Sequence, residues 1–330
     1  MIEKTTKSGG YDMKEISLVV PMYNEEEMIP LFFEEINKVL NKLVDYKFEI
    51  VCVNDGSKDN TLSLLKKKRQ EQSNIHIVSF SRNFGHESAV AAGIKAARGE
   101  AVIVMDADLQ DPPKLIPELI NKWEEGYQVV NAKRVDRKKD SWMKRNTAAA
   151  FYKVISKLSG KTKIPENVGN YRLLDRVVVD QVNLLKEKNR VFRVMVPYVG
   201  YKVIDVEFKR EERPKGKTHY NYKSMFTLAG NSITSASIIP LKWSFKLGIF
   251  LTCLFSVLFV SDITLWVISN FINWPLDVIP YDTLAIIFSM FLCLGILLFF
   301  IGILCEYVGR IMIETQDRPI YYVDEDIKAD

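Results

Sequence analysis

The chain is poor in the residues that usually announce a reactive centre. Its four cysteines, Cys52, Cys253, Cys293 and Cys305, show no metal-type spacing, and three of them lie in apolar runs. Neither a disulfide framework nor a zinc site is expected from that pattern. Histidine occurs only at His76, His86 and His219, with no pattern of ligands around any of them. His76 is expected in or beside a strand, in a structural role. There is no Gly-x-Ser-x-Gly nucleophile elbow and no glycine-rich P-loop, which removes hydrolase and kinase chemistry. A net charge of +4 on 330 residues is too small to imply nucleic acid as a partner. The polar first fifteen residues argue against a signal peptide, and residues 1–13 read as a polar tail.

What the chain does have is Asp106-Ala107-Asp108 at the end of the apolar run Ala101-Val102-Ile103-Val104-Met105. A short run rich in β-branched residues reads as a buried strand of a parallel sheet. Alternate residues of an extended segment point the same way, so Asp106 and Asp108 can converge on one hard cation, Mg2+ or Mn2+. Alone, Asp-x-Asp is weak, because aspartates are common where strands end. Three more strand-like runs upstream end in polar segments. Ile16–Val20 leads into Pro21-Met22-Tyr23-Asn24-Glu25, Phe48–Val53 into Asn54-Asp55-Gly56-Ser57, and Ile75–Phe80 into Ser81-Arg82-Asn83-Phe84-Gly85-His86. Helical periodicity separates them, as at Met28, Leu31, Phe32, Ile36, Val39, Leu40 and Leu43. Strands alternating with helices of this length predict right-handed βαβ units and a mostly parallel sheet, with the polar segments gathered at its carboxyl edge.

Val20-Pro21-Met22-Tyr23-Asn24-Glu25, Val53-Asn54-Asp55-Gly56-Ser57, Arg82-Asn83-Phe84-Gly85 and Asp106-Ala107-Asp108-Leu109-Gln110-Asp111-Pro112-Pro113 resemble the family 2 glycosyltransferases of GT-A fold. Within them the chain is most similar to the polyprenyl-phosphate glycosyltransferases, relatives of dolichol-phosphate mannose synthase and bactoprenol glucosyltransferases. The resemblance implies that Pro21, Tyr23, Asn24, Glu25, Asp55 and Ser57 hold the nucleoside of a UDP-sugar. Asp106, Asp108 and Gln110 would bind the metal, and Asp106 and Lys217 would also bear on the sugar nucleotide. The acceptor would be undecaprenyl phosphate, met by Arg134 and Arg145. The same resemblance implies a homo-oligomer, a tetramer, with a flippase as a downstream partner.

The carboxyl third is written for another solvent. Leu247–Phe271 holds one charge, Asp262, in 25 residues, and Leu284–Cys305 holds none in 22. Runs of this length and purity predict two transmembrane helices, within residues 244–308. Asp262 lies near the outer end of its span, within reach of the headgroups, and is given a structural or interfacial role. Lys242 and Lys246 precede the first run, Arg310 and Arg318 follow the second, and the linker Asn270–Tyr281 has no Lys or Arg. The positive-inside rule then puts both termini and the catalytic domain in the cytoplasm of a bacterium, with residues 309–330 as a tail. Trp243, Trp266, Trp274, Tyr281 and Tyr307 would anchor the interfaces. Upstream, Lys133, Arg134, Arg137, Lys138, Lys139, Lys144 and Arg145 run into the amphipathic stretch Trp142 to Leu158. A charge run is commonly a solvated face, but this combination suits an anionic membrane surface.

Residues 14–210 are thus expected to form the catalytic domain, and 211–243 an active-site loop with juxtamembrane helices. In that loop, the family pattern Arg-x-x-Gly-x-Ser-Lys-Tyr is met by Arg213, Gly216 and Tyr220, but Lys217-Thr218-His219 departs from it. Arg213 would clamp the diphosphate with its planar fork. Asn170 stands where many family members carry an acid. A lipid phosphate has a second pKa of about 6, so it needs alignment more than proton removal, and Asn170 can still orient it or the sugar. The expected reaction is inverting transfer of one sugar, glucose or N-acetylglucosamine. The alternatives are a processive polysaccharide synthase, whose Gln-x-x-Arg-Trp motif is absent, and a membrane protein that binds nucleotide sugar without turnover. The charge asymmetry makes a topology prediction. A cysteine at Ser269 or Asn273 should react with an impermeant thiol reagent outside intact cells, and labelling of Lys4→Cys from that side instead would reverse the orientation.

Overall fold

The computed structural model describes residues 13–135, 165, 167–188, 190–209 and 281–329, with scattered positions from 246 to 264. The amphipathic stretch around Trp142, the 211–243 segment and most of the first predicted span lie outside the described residues.

Strands β1 (Lys14–Met22), β2 (Tyr46–Asn54), β3 (Ile75–Phe80) and β4 (Ala101–Val104) are the four apolar runs of the sequence, and they pair in parallel, β2 and β4 flanking β1 and β3 lying beyond β2. Next come β5 (Val129–Arg134), β6 (Val168–Asp175), β7 (Val203–Phe208) and β8 (Val323–Ile327), giving one sheet of order β7-β5-β6-β4-β1-β2-β3-β8. β6 and β8 run antiparallel to their neighbours. The expected α/β, mostly parallel architecture is what forms.

Both faces of the sheet are covered, which is why its central strands alternate between two cores rather than between core and water. Leu18, Val20 and Met22 of β1 pack in one core with Phe32, Phe33 and Ile36 of α1 (Ile29–Leu40), Leu65 of α2 (Thr61–Glu71) and Leu119 and Ile120 of α4 (Ile116–Glu124). Val19, Val51 and Val53 pack in the other with α3 (His86–Ala96), α5 (Arg176–Leu184) and α6 (Phe192–Val199). Each fully buried Val, Leu, Ile or Phe contributes roughly 1.5–3 kcal/mol, so the two layers dominate stability. Gly93 lets α3 lie close on the sheet: a Cβ there would stand 2.3 Å from Val19 Cγ1.

Pro21 sits inside the central strand β1, an unusual place for a residue without an N–H. β4 stops pairing at Val104, and its last bond runs from Met105 N to Val19 O, so the ladder ends before Pro21 would have to donate.

The carboxyl terminus departs from expectation. Of the expected tail 309–330, residues 309–315 continue helix α7 (Tyr281–Thr315), where Arg310 pairs with Glu306 at 3.0 Å, and residues 323–327 form strand β8 on the edge of β3. Val323-Asp324-Glu325-Asp326-Ile327 is too acidic to read as a strand; its partners make it one. Lys66 meets Glu325 at 2.6 Å, Arg69 donates to Lys328 O, Tyr321 stacks on Phe80 at 4.8 Å, and His76 Nε2 lies 2.6 Å from Asp326 Oδ1. The region 1–232 together with 319–330 forms one compact unit, and 233–318 a second. In the second unit, Cys293–Thr315 is 23 residues of mean hydropathy 2.1 with none of it buried; among the described residues it is the single helix long and apolar enough to cross a membrane. Two such helices were expected. At 35 residues α7 runs about 52 Å, longer than the ~30 Å of bilayer hydrocarbon.

The His76 contact links β8 to pH. Burial works against a charged ring, but Glu49 and Asp326 outweigh it and raise the His76 pKa above 6.5. A raised folded-state pKa gives stability that is complete below the unfolded value and fades as the pH climbs through the folded value. Asp326→Asn should cost about 0.5–1 kcal/mol at or below pH 6.5, since its half-exposed carboxylate is screened by water, or roughly 2–4 °C in Tm. The gap between mutant and parent should narrow at higher pH; thermal melts of the full-length protein in detergent that show a constant or widening gap would contradict this.

Candidate active site

Each of the four parallel strands ends in a loop that turns on one residue of positive φ: Asn24 (53°) after β1, Gly56 (61°) after β2, Gly85 (96°) after β3 and Leu109 (56°) after β4. A left-handed residue reverses the chain sharply, and for a non-glycine it costs about 1–2 kcal/mol. Asparagine tolerates it best, and Leu109 offsets the strain by burying its side chain to 7% exposure in the core. At Gly56 the glycine is obligatory, because a Cβ would lie 2.2 Å from the Arg82 carbonyl carbon in the neighbouring loop.

Hydrogen bonds sew these loops together. Asn24 N donates to Ser57 Oγ at 2.9 Å, and Lys58 N donates back to Asn24 Oδ1 at 2.9 Å. Glu25 N donates to Thr61 Oγ1 and Glu26 N to Asp59 Oδ2. Asp55 binds in two directions. Its N–H donates to Met22 O, and its buried carboxylate accepts from Asn83 Nδ2 at 3.0 Å, Phe84 N at 2.6 Å and Gly85 N at 3.0 Å. Burial pushes the Asp55 carboxyl above its usual range, and the Phe84 and Gly85 N–H groups and the nearby His86 ring oppose that.

Beyond Val104 the chain stays extended long enough to sort its side chains. Met105, Ala107 and Leu109 are buried, whereas Asp106, Asp108 and Gln110 are partly exposed. Asp108 Oδ1 accepts from Gln110 N at 3.1 Å, and Asp106 Oδ1 is buried with no hydrogen-bond partner. An unpartnered buried carboxylate oxygen, with a second carboxylate and an amide on the same side, is a donor set that fits a hard divalent cation. Among the described residues no cluster of three or more acidic, His or Cys side chains that could hold a metal ion exists.

The remaining predicted residues divide. Pro21 is buried in β1, while Tyr23 and Glu25 are partly exposed at its end. Arg134, the last residue of β5, points its Nη2 at Asp111 Oδ1, 3.5 Å away on the loop that follows Asp106. Asn170, in β6, is 9% exposed and lies against His86, with Nδ2 3.0 Å from His86 Nε2. Arg145, Arg213 and Lys217 fall outside the described residues.

Residues 17–182 match the family model described as glycosyl transferase family 2. The chain belongs to that family. A bactoprenol glucosyl transferase of Shigella phage SfII is 41% identical over 309 residues, 93% of this chain and 97% of the phage protein. A prophage bactoprenol glucosyl transferase homolog of Escherichia coli K12 is 42% identical over 309 residues, 93% of this chain and 98% of its own length. An uncharacterized glycosyltransferase of Synechocystis is 43% identical over 312 residues, covering 94% and 95%. The protein is therefore a family 2 glycosyltransferase, and its polar strand-end segments gather at the carboxyl edge of the sheet, the edge at which open α/β folds bind ligands.

Two groups in this glycosyltransferase escaped the sequence reading. His86 stands in a strand-end segment, the signal that could have found it, but no ligand spacing marks it. Arg172, two residues after Asn170 on the same face of β6, is fully buried. Its Nη2 donates to Gly169 O at 2.6 Å, its guanidinium lies 5.1 Å from the Phe192 ring, and burial beside Arg193 lowers its pKa to about 9. A lone arginine in a strand gives no hint from sequence that it will be covered.

Asp55 generates the prediction for this site. Asp55→Ala leaves three donors on the β3 loop without an acceptor, and an unmade buried hydrogen bond costs about 1–3 kcal/mol. Amide exchange over Ser81–Glu87 should accelerate at least tenfold relative to the rest of the domain. Unchanged exchange there would show that the loop is held by other contacts.

Proposed function

We propose that this glycosyltransferase moves a single glucose from UDP-glucose to undecaprenyl phosphate at a membrane surface, in one inverting displacement. The observation that carries the reading is near full-length correspondence, over 93% of the chain, with proteins named bactoprenol glucosyl transferase. N-acetylglucosamine is the second sugar to test, because nothing in the strand-end loops selects against it.

In this reading the uracil and ribose lie over the stitched loops after β1 and β2, near Tyr23, Asn24, Glu25, Asp55 and Ser57. Pro21 contributes through the backbone it shapes, since its ring is buried. Asp106, Asp108 and Gln110 would hold Mg2+ or Mn2+, which when bound neutralises charge developing on the UDP leaving group. Arg213 and Lys217 would close on the diphosphate from the other side. The acceptor needs cations that desolvate and align its phosphate, and Arg134 and Arg145 are assigned to it. Arg134 is already steered toward the Asp106 loop by Asp111. The phosphate oxygen then attacks the anomeric carbon opposite to UDP, forming one C–O bond as the other breaks. Asn170, neutral, orients rather than takes a proton.

The membrane assignment rests on the unburied apolar helix and on connectivity. β8 follows α7 in the chain yet pairs with β3, which precedes both spans. A chain that leaves a domain and returns to its sheet must cross a bilayer an even number of times. That connectivity supports assigning Leu247–Phe271 as the second span, with both ends of the chain on the catalytic side.

Full-length enzyme in detergent, given radiolabelled UDP-glucose or UDP-N-acetylglucosamine with undecaprenyl phosphate, should make one lipid-linked monosaccharide from the glucose donor. Asp108→Asn should lower the rate at least about a hundredfold, the scale of losing one electrostatic stabiliser of the transition state. A chelator should do the same until Mg2+ or Mn2+ is restored. Activity that survives chelation would overturn the metal assignment, transfer from the N-acetylglucosamine donor alone would overturn the sugar, and a polymeric product would favour the processive synthase.

A further inference from the structure

His86 has no part in the reaction just described, yet it occupies the centre of the site. It is the first residue of α3, directly after the loop that Asp55 holds, and its ring reaches across to β6. Nε2 stands 3.0 Å from Asn170 Nδ2 and 3.7 Å from Asp106 Oδ1. With the amide in this orientation Nδ2 donates to Nε2, which puts the ring proton on Nδ1. With Nδ2 engaged in this way the amide plane is set and Oδ1 faces away from the ring. That oxygen is buried and has no partner, and Asp106 Oδ1 beside the ring is in the same condition. Buried acceptors are almost always satisfied, and each one left unmade costs about 1–3 kcal/mol, so the Asn170 oxygen points to a ligand that brings a donor. A sugar brings hydroxyl groups.

We propose that His86 is a positioning residue for the donor sugar: it holds the Asn170 amide so that its carbonyl oxygen accepts a hydrogen bond from a hydroxyl of the sugar being transferred. The proposal rests on the UDP-sugar reading above. It also gives the neutral residue at position 170 a role that an ionised acid there would fill differently, because a carboxylate has no N–H to offer His86. A site that hydrogen-bonds a substrate hydroxyl discriminates by that bond, so the pair acts on affinity for the sugar and not for the nucleotide.

The test compares dissociation constants for UDP and UDP-glucose on the full-length enzyme in detergent by calorimetry. His86→Ala should leave UDP within about twofold and weaken UDP-glucose about tenfold, the size of one hydrogen bond. Asn170→Ala should do the same, the double variant should be no worse than either single one, and His86→Gln, which keeps an acceptor, should recover most of the loss. Equal weakening of UDP and UDP-glucose, additive losses, or no rescue by glutamine would each overturn the proposal. Nitrogen NMR of the His86 ring supplies a readout that does not depend on the donor. The Nδ1–H tautomer is expected, and an Nε2–H ring would mean that the amide is turned round and presents a donor, which also overturns it. Wild-type enzyme that binds UDP but neither UDP-glucose nor UDP-N-acetylglucosamine would sink the UDP-sugar reading instead, leaving the tautomer to decide on His86.

Discussion

The Asp55 carboxylate is buried, and a buried charge persists only where donors surround it. Three donors from the loop after β3 supply that need, while the Asp55 N–H is tied to the end of β1. One residue, through its carboxylate and its backbone N–H, thereby couples three of the four parallel strand ends. The consequences spread outward: the β3 loop can pass against Gly56 only because that residue has no Cβ, and α3 starts where the loop releases the chain, which sets His86 beside Asp106 and Asn170. Remove the carboxylate and the loop loses its anchor, and with it the start of α3.

The Asp106 loop solves a different problem, presenting carboxylates without breaking the core. Extending the β4 alternation past the last ladder bond keeps Met105, Ala107 and Leu109 in the apolar layer and leaves Asp106, Asp108 and Gln110 partly exposed. The left-handed turn at Leu109 is strain held in place by burial of its own side chain. Backbone strain of this kind gathers at functional sites, because a relaxed turn would let the carboxylates diverge. In the proposed reaction that geometry places charge neutralisation where UDP departs, and Asn170 and Arg134 border the same space from β6 and β5.

Strand β8 ties the far end of the chain to the same sheet. Its contacts are charged and aromatic, with Lys66, Arg69 and His76 on one side and Tyr321 on Phe80 on the other, so they would count for little one at a time. Together with the ladder to β3 they cover an edge that would otherwise offer unpaired backbone groups to other chains.

What the sequence by itself determined is whatever depends on local periodicity. The four parallel strands, the helices between them, the polar segments at their ends and the apolar carboxyl third are all legible, because β-branched runs and spacings of three and four need no partner to be recognised. The family motifs follow from the same segments, and they identified the chemistry. The tertiary structure decided what depends on neighbours distant in the chain. Val323–Ile327 is a strand because Lys66, Arg69 and His76 compensate its acidity, although those residues lie some 250 positions away. Asp55 is an anchor for the β3 loop as much as a candidate ligand for a nucleoside, and only the position of Asn83, Phe84 and Gly85 reveals it. His86 and Asn170 are 84 residues apart, and no spacing rule joins them. The physical reason is common to all three: a hydrogen bond is short-ranged in space and indifferent to sequence distance, so its partners are chosen by the fold.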